Sequence, residues 1–359
     1  MIIKSIEIQN FRNYEYESIE FDDKTNILYG DNAQGKTNVL EAVFIAGTNK
    51  SHKGSKDSEL INFNGDEAHI KAVVSKRDID YRIDMHIRKS RSKGIAINGV
   101  PIRRSSELYG LVNIIFFSPE DLNIIKSGPS ARRRFIDMEL CQLDKIYVDN
   151  LIKYNKTLEQ RNKLLKDIYF EPSLEDTLDI WNRNLVNYGS EIIKRRRIFI
   201  DKLNSIIEDI HYRLSGNKEH LVISYEESVG EDVFLQELND NISRDKKSKM
   251  TGCGPHRDDI EFKINGLDVK NYASQGQQKT TVLVQKIAEV ELFKDELGEY
   301  PVLLLDDIMS ELDIKRREFV TDKIKNMQIF ITCTDKEKFY NFKSGKFIEI
   351  GNGKIIKEG

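Results

Sequence analysis

Gly30-Asp31-Asn32-Ala33-Gln34-Gly35-Lys36-Thr37 is the stretch that decides how this chain is read. The eight residues fit the pattern G-x-x-x-x-G-K-[ST], and they lie where that pattern has a physical use. Ahead of them runs alternating, strand-like sequence: Ile3, Ile6 and Ile8, then Ile19 and Phe21, then Ile27 and Leu28. Behind them Lys36 to Phe44 reads as a helix. The glycines let the backbone curl until its N–H groups face phosphate oxygens, and the helix N-terminus adds positive potential. Lys36 then reaches the β- and γ-phosphates of a nucleotide, and the Thr37 hydroxyl binds Mg²⁺. A glycine-rich turn with an incidental lysine is the plain alternative, and the strand–loop–helix context argues against it.

A second half of such a site is legible far downstream. Val302-Leu303-Leu304-Leu305-Asp306-Asp307 is an apolar run that ends in two acids, and α/β sheets hold their ligands at the carboxyl ends of buried strands. Asp306 suits Mg²⁺, and Asp307 suits the polarisation of an attacking water. Between the halves, Ala273-Ser274-Gln275-Gly276-Gln277-Gln278-Lys279 opens an amphipathic helix, offering an anion a hydroxyl and exposed N–H groups. Taken alone it reads as an ordinary N-cap. Its place in the order gives it weight: phosphate loop, long insertion, serine-glycine helix start, acidic strand, then Ser310-Glu311-Leu312-Asp313.

The insertion has its own texture. Tyr147, Leu151, Tyr154, Leu158, Leu165 and Ile168 recur at three- and four-residue steps, with Arg161 interrupting. Glu171-Pro172-Ser173 breaks that helix, and Leu174 through Ile210 continues the same spacing. The pattern predicts an antiparallel hairpin of two long helices, the second roughly 50 Å long at 1.5 Å per residue. Asn98-Gly99 and Asn265-Gly266 predict tight β-hairpins. In Ser118-Pro119-Glu120-Asp121 the serine reads as a helix N-cap.

Composition narrows the class. Of 359 residues, 32% are charged and 39% apolar, which fits a folded, highly charged chain. No apolar run approaches the ~18 residues of a membrane span, and no signal-like segment follows Met1, so a cytoplasmic protein is expected. Cys141, Cys253 and Cys333 are isolated and suit a reducing compartment. Cys253 and His256 form a tempting metal pair, but further ligands are lacking, so both read as structural. A net charge of −3 means that any DNA affinity must come from local basic clusters. The candidates are Lys53, Arg88, Arg91, Lys93, Arg103, Arg104, Arg132, Arg133 and Arg134.

The order of motifs resembles the ABC ATPase heads of the SMC family. Ser274-Gln275-Gly276-Gln277 is similar to their signature motif and Ser310 to Asp313 to their D-loop. Ile8-Gln9-Asn10-Phe11-Arg12-Asn13-Tyr14 is similar to their N-terminal segment. Phe117-Ser118-Pro119-Glu120-Asp121-Leu122, Gly128-Pro129-Ser130-Ala131-Arg132-Arg133-Arg134 and Gly254-Pro255-His256-Arg257-Asp258-Asp259 bring the likeness closest to the RecF family of bacterial DNA repair ATPases. The resemblance implies an α/β fold: an ABC-type P-loop ATPase head, with a mixed sheet and flanking helices, carrying an inserted helical arm lobe. The expected division is head at 1–118, arm at 119–245 and head again at 246–359. It also implies ATP and Mg²⁺ as ligands, an ATP-dependent homodimer in which the signature works in trans, and single-stranded or gapped DNA as partner. RecR and RecO are the implied protein partners, in recombinational repair, replication and the SOS response. Three features depart from the broader ABC pattern. Asp307 stands where a glutamate is usual, no switch histidine follows the last core strand, and no glutamine marks the Q-loop. A shorter base with no histidine on the γ-phosphate stabilises the transition state poorly, so slow hydrolysis is expected. An ATPase subunit of a membrane transporter would share the loop and signature, but not readily the helical insertion. A P-loop kinase of small substrates would have no use for signature or D-loop.

Overall fold

Thr25–Tyr29, Val302–Asp306 and Ile329–Cys333 are buried at every position, as strands are when both faces of a parallel sheet are covered. In this computed structural model, which describes residues 1–336 and 345–359, they form the centre of a six-stranded sheet. The order is Lys354–Glu358, Lys346–Gly351, Thr25–Tyr29, Ile329–Cys333, Val302–Asp306, Ile114–Phe117. All neighbours are parallel except the C-terminal hairpin. The helix Lys36–Thr48 is buried around most of its circumference. That helix follows the phosphate loop directly, so the loop lies at the carboxyl edge of the sheet.

A second six-stranded sheet in the same unit is antiparallel: Tyr14–Glu20, Ile2–Phe11, Glu67–Lys76, Ile79–Arg88, Gly94–Ile97, Val100–Pro101. Its strands alternate. Ala68, Ile70 and Ala72 are buried while Glu67, His69 and Lys71 are not, the period-2 signature of a sheet with one wet face. Asn98 (φ 51°) and Gly99 (φ 80°) make the expected tight turn. This unit comprises Met1–Asp121 and Glu289–Gly359. Ser118 precedes a short 3-10 turn, Pro119–Leu122; its N–H donates to Asp121 Oδ2 at 2.7 Å and its carbonyl accepts from the Asp121 N–H at 3.0 Å.

The other unit, Leu122–Ala288, contains the helical hairpin. Lys145–Asp167 and Leu178–Leu214 run antiparallel, since Asp144 meets Arg195, Tyr147 meets Arg196 and Arg161 meets Asn182. Asp144 caps the first helix by accepting from the Ile146 and Tyr147 N–H groups. The sequence reading ends the lobe at 245, whereas this unit runs on to Ala288. The reason is strand pairing: Asp259–Ile264 is hydrogen-bonded to Leu221–Glu226, and Asn265-Gly266 turns it into Leu267–Asp268. The segment after 245 therefore folds with the hairpin.

Arg161, the interruption in the apolar stripe, is fully buried and anchors a polar knot. It donates to Asn182 Oδ1 (2.7 Å), Asp245 Oδ2 (2.8 Å) and Thr251 Oγ1 (2.8 Å). Breaking a buried ion pair strands the surviving charge. Asp245→Ala should cost about 3–5 kcal/mol of stability. Urea unfolding reads this directly, and a variant within about 1 kcal/mol of wild type would show that the pair contributes little.

Candidate functional site

The phosphate loop owes its shape to close backbone approaches. Gly30 has φ 146°, and a Cβ there would lie 2.2 Å from the Ile350 carbonyl oxygen. Gly35 has φ 116°, and a Cβ would meet Asn13 Nδ2 and Tyr14 Oη at 2.8 Å each. Only glycine satisfies both. The loop is braced from two sides. Asn13 Nδ2 donates to the Gln34 carbonyl (3.1 Å) and the Tyr14 hydroxyl to that of Gly35 (3.1 Å). From the C-terminal hairpin, the Gly353 N–H donates to the same Gln34 carbonyl at 2.9 Å. Asn32 and Ala33 form the outer turn, Ala33 at φ 63°.

Lys36, 4% exposed, points its ammonium into the loop and donates to the carbonyls of Gly30 (2.7 Å) and Asp31 (2.8 Å). The cation thus sits inside the ring of backbone. One residue on, Thr37 Oγ1 donates to the Asp306 carboxylate at 2.8 and 3.0 Å. The topology brings these together: the strand ending at Asp306 is separated from the one feeding the loop by Ile329–Cys333 alone. That intervening strand supplies Thr332, whose hydroxyl donates to Asp306 Oδ1 (2.7 Å) and accepts from the Asp307 N–H (2.9 Å). One hydroxyl therefore meets the carboxylate of the first acid and the backbone N–H of the second. Asp307 itself adopts φ 56° and opens the short helix Ile308–Glu311. Thr37 and Asp306 converge as hard oxygen donors, a set that matches Mg²⁺ in chemistry. Beside the loop lies an open cleft of about 600 Å³, lined by Tyr29, Asp31, Gln34, Asp335 and Lys336 among others.

Sequence reasoning passed over Thr332, which nothing in the linear pattern marks. It also passed over Arg12 as a site residue. Arg12, at φ 52°, clamps Glu41 of the buried helix with two bonds, 2.8 and 2.9 Å. Burial alone would raise the Glu41 carboxyl, but hydrogen bonds from Arg12 and Ser51 outweigh it and hold its pKa below the ordinary range. The Arg12-Asn13-Tyr14 turn is thus fixed to the helix at one residue and to the loop at the next two.

In the other unit, Ser274, Gln275 and Gly276 are exposed at the start of Gln275–Leu297. Ser274 and Gln277 cap reciprocally: the Ser274 N–H donates to Gln277 Oε1 (2.8 Å) and the Gln277 N–H to Ser274 Oγ (3.2 Å). At Gly276 a Cβ would meet nothing closer than Ser274 Oγ at 3.9 Å, so the chain's own packing gives no reason for glycine there. Asp313 caps Ile314–Lys323 by accepting from the Arg316 N–H, and the Ser310 hydroxyl donates to the Asp307 carbonyl at 2.7 Å.

The basic candidates divide sharply. Arg132 is buried, with its guanidinium on Asp259 at 2.6 and 2.8 Å. Arg133 donates to the Asp258 carbonyl at 2.6 Å, while Arg134 is exposed. Lys93 has an 8% exposed side chain spent on Asp57 and the Asn49 carbonyl. Arg132 and Lys93 are thus the two candidates whose side chains are largely buried and already paired, which favours a structural role for them. Lys53 lies 3.8 Å from Glu120, and Arg88 rests on His86. Arg91, Arg103 and Arg104 are exposed.

The Gly254–Asp259 loop is a packing hub of its unit. Gly254 sits where a Cβ would strike Tyr154 Oη at 2.4 Å, and Asp258 accepts from Arg196, Tyr225 and the Ser228 N–H. His256 Nε2 donates to the Thr251 carbonyl, so in the neutral ring Nδ1 accepts from the Tyr154 hydroxyl, and burial pushes its pKa down to about 4. It is a satisfied, neutral core histidine.

Comparison with known proteins places the whole chain in one family. The model of the RecF/RecN/SMC N terminal domain matches residues 2–354. The DNA replication and repair protein RecF of Agathobacter rectalis is 55% identical over 357 residues, 99% of each chain. Among solved structures, the recombination mediator protein RecF bound to ATP, of the RecFOR pathway, superposes with a TM-score of 0.94 at 37% identity, covering 100% of this chain and 97% of that one. An Smc head bound to the C-terminal winged-helix domain of ScpA has a TM-score of 0.57 at 17% identity, over 100% and 97% of the two chains, a likeness of fold alone.

Proposed function

The chain belongs to the RecF/RecN/SMC N-terminal domain family, within it to the RecF proteins, and we propose that it works as an ATP-gated, DNA-binding switch with slow ATP hydrolysis. The observation that carries this reading is the convergence of Lys36, Thr37, Asp306, Thr332 and Asp307 at the carboxyl edge of one parallel sheet. Gly30 to Gly35 and Lys36 hold the phosphates of ATP. Thr37 and Asp306 hold Mg²⁺, which neutralises charge on the β- and γ-oxygens when bound. Asp307 orients the attacking water, and its short side chain keeps turnover low. A second copy closes the site with Ser274 and Gly276, and the D-loop around Ser310 and Asp313 lies at that junction. Single-stranded or gapped DNA is the polymer bound, with Arg91, Arg103 and Arg104 as the first candidates for its phosphates. RecO and RecR are the expected partners, by likeness to a mediator of the RecFOR pathway.

Asp307→Asn tests the gate. The variant should keep ATP affinity and lose turnover by on the order of 100-fold or more, the usual worth of a positioned base. It should then linger on gapped DNA with ATP and leave with ADP. Filter binding with each nucleotide reads the complex, and DNA retention indifferent to nucleotide would refute the switch. Thr332→Val gives a finer check, since it removes the hydroxyl that binds the Asp306 carboxylate and the Asp307 N–H. Mg²⁺-dependent turnover should fall about 10- to 100-fold, as for other outer-shell partners of metal sites, with a stability loss of about 1–2 kcal/mol for the two bonds removed. Full activity in that variant would mean that the acids are held by other means.

A further inference from the structure

Outside the phosphate site, the wet face of the antiparallel sheet carries a second constellation. Glu67 and His69 are two residues apart on Glu67–Lys76 and so project from the same face. His86, on Ile79–Arg88, is the direct cross-strand partner of His69. The two imidazoles stack with centroids 4.1 Å apart. His86 Nε2 is 2.7 Å from one Glu67 oxygen, and His69 Nε2 is 3.7 Å from the other. One ligand atom from each residue lies within 4.8 Å of the others.

We propose that Glu67, His69 and His86 form a binding site for a divalent transition-metal ion of the Zn²⁺ class, clipping the two strands together. Two imidazoles and one carboxylate are the donors such ions select, whereas Mg²⁺ prefers oxygen alone. Bond lengths of about 2.0–2.2 Å at tetrahedral angles need donor atoms about 3.3 Å apart. The observed spacings bracket that value, so side-chain rotation without backbone movement completes the set. Water supplies the fourth position, because all three residues are partly exposed. Gly94 faces His86 across the next strand, and a Cβ there would come no closer than 4.0 Å to the His86 Cβ, so the neighbouring strand does not crowd the site.

Arg88 opposes the ion. Its guanidinium lies 2.7 Å from His86 Nδ1 and, through Nε, 3.4 Å from the Nε2 that also meets Glu67, so the cation crowds both ring nitrogens. For Nε2 to give its lone pair to a metal, the ring proton must sit on Nδ1 and Arg88 must swing away. No net proton is lost. Arg88 is therefore a gatekeeper that sets affinity, which gives the site a signature that a chance cluster would lack.

The test is equilibrium dialysis of the full chain against Zn²⁺ at micromolar concentration with millimolar Mg²⁺ present. One equivalent should be retained by wild type and lost in His69→Ala and His86→Ala, with His69→Gln and His86→Gln as milder variants should alanine disturb the sheet. Arg88→Ala should bind several-fold more tightly. Co²⁺ in place of Zn²⁺ should give visible d–d bands without the near-ultraviolet thiolate band that the three cysteines would produce. Zn²⁺ uptake that survives loss of either histidine, a thiolate band, or no uptake at all would overturn the proposal. So would weaker binding in Arg88→Ala.

Discussion

Lys36→Ala is expected to abolish productive ATP binding while the chain stays folded. The ammonium is almost wholly buried, yet it contacts no apolar stripe; its bonds run to the Gly30 and Asp31 carbonyls at the rim of the loop. Two forces act on the loop's conformation without it. Gly30 and Gly35 hold the positive φ values, and Asn13, Tyr14 and Gly353 brace the carbonyls of Gln34 and Gly35. The substitution should therefore cost only about 1–2 kcal/mol of stability, the usual worth of a lost hydrogen bond or two. The effect on the ligand is larger. A lysine shared between β- and γ-phosphates makes charge-assisted bonds worth about 1.5–3 kcal/mol each. Losing two of them weakens binding on the order of 10²- to 10⁴-fold. Titration calorimetry with ATP, beside a thermal melt, separates the outcomes. Wild-type affinity with a native melt would show that the loop does not hold phosphate through Lys36.

That experiment concerns the part of the molecule most legible in the amino-acid order. The loop could be read because glycine, lysine and threonine at fixed steps do one job, and because Ile27-Leu28 before it and an apolar helix behind it announce their own periods. Val302 to Asp306 was equally plain, since a buried parallel strand ends in a carboxylate for few reasons other than a ligand. Thr332 was not legible. It lies among apolar residues, and its role depends on which strand lies between two others, a matter of topology. The run Arg132-Arg133-Arg134 divides for a related reason. A helix points successive residues about 100° apart, so three adjacent arginines cannot share a fate; the first is buried against Asp259 and the third faces solvent. Arg161 looked like a blemish in an apolar stripe and is instead the centre of a polar knot. The strands Glu67–Lys76 and Ile79–Arg88 alternate clearly enough to have been found, and their outward histidines and glutamate share one face only because the register aligns His69 with His86.

Ser274→Arg should leave ATP binding by the single chain intact and block ATP-dependent dimerisation. Ser274 and Gly276 are exposed, and nothing in the chain itself requires glycine at 276. In the dimer proposed above, they would close over the γ-phosphate held by the loop of a second copy. An isologous dimer then carries two sandwiched nucleotides. ATP favours that dimer only through contacts that its γ-phosphate adds, so ADP should favour it less. An arginine in place of the serine is too long for the close approach and breaks the reciprocal cap with Gln277. Disrupting a central contact of this kind costs about 2–4 kcal/mol of association, on the order of 30- to 1,000-fold. Mixing supplies the sharper discrimination. Each homodimer of Ser274→Arg or Lys36→Ala lacks every working site. A mixed dimer pairs the intact loop of the first with the intact signature of the second, once. With random pairing, at most about a quarter of wild-type sites return, and none return if each chain hydrolyses alone. Sedimentation with ATP, ADP and no nucleotide reads association, and turnover in the mixture reads the composite site. A Ser274→Arg protein that dimerises normally with ATP, or a wild type equally dimeric in ADP, would show that the signature does not act in trans.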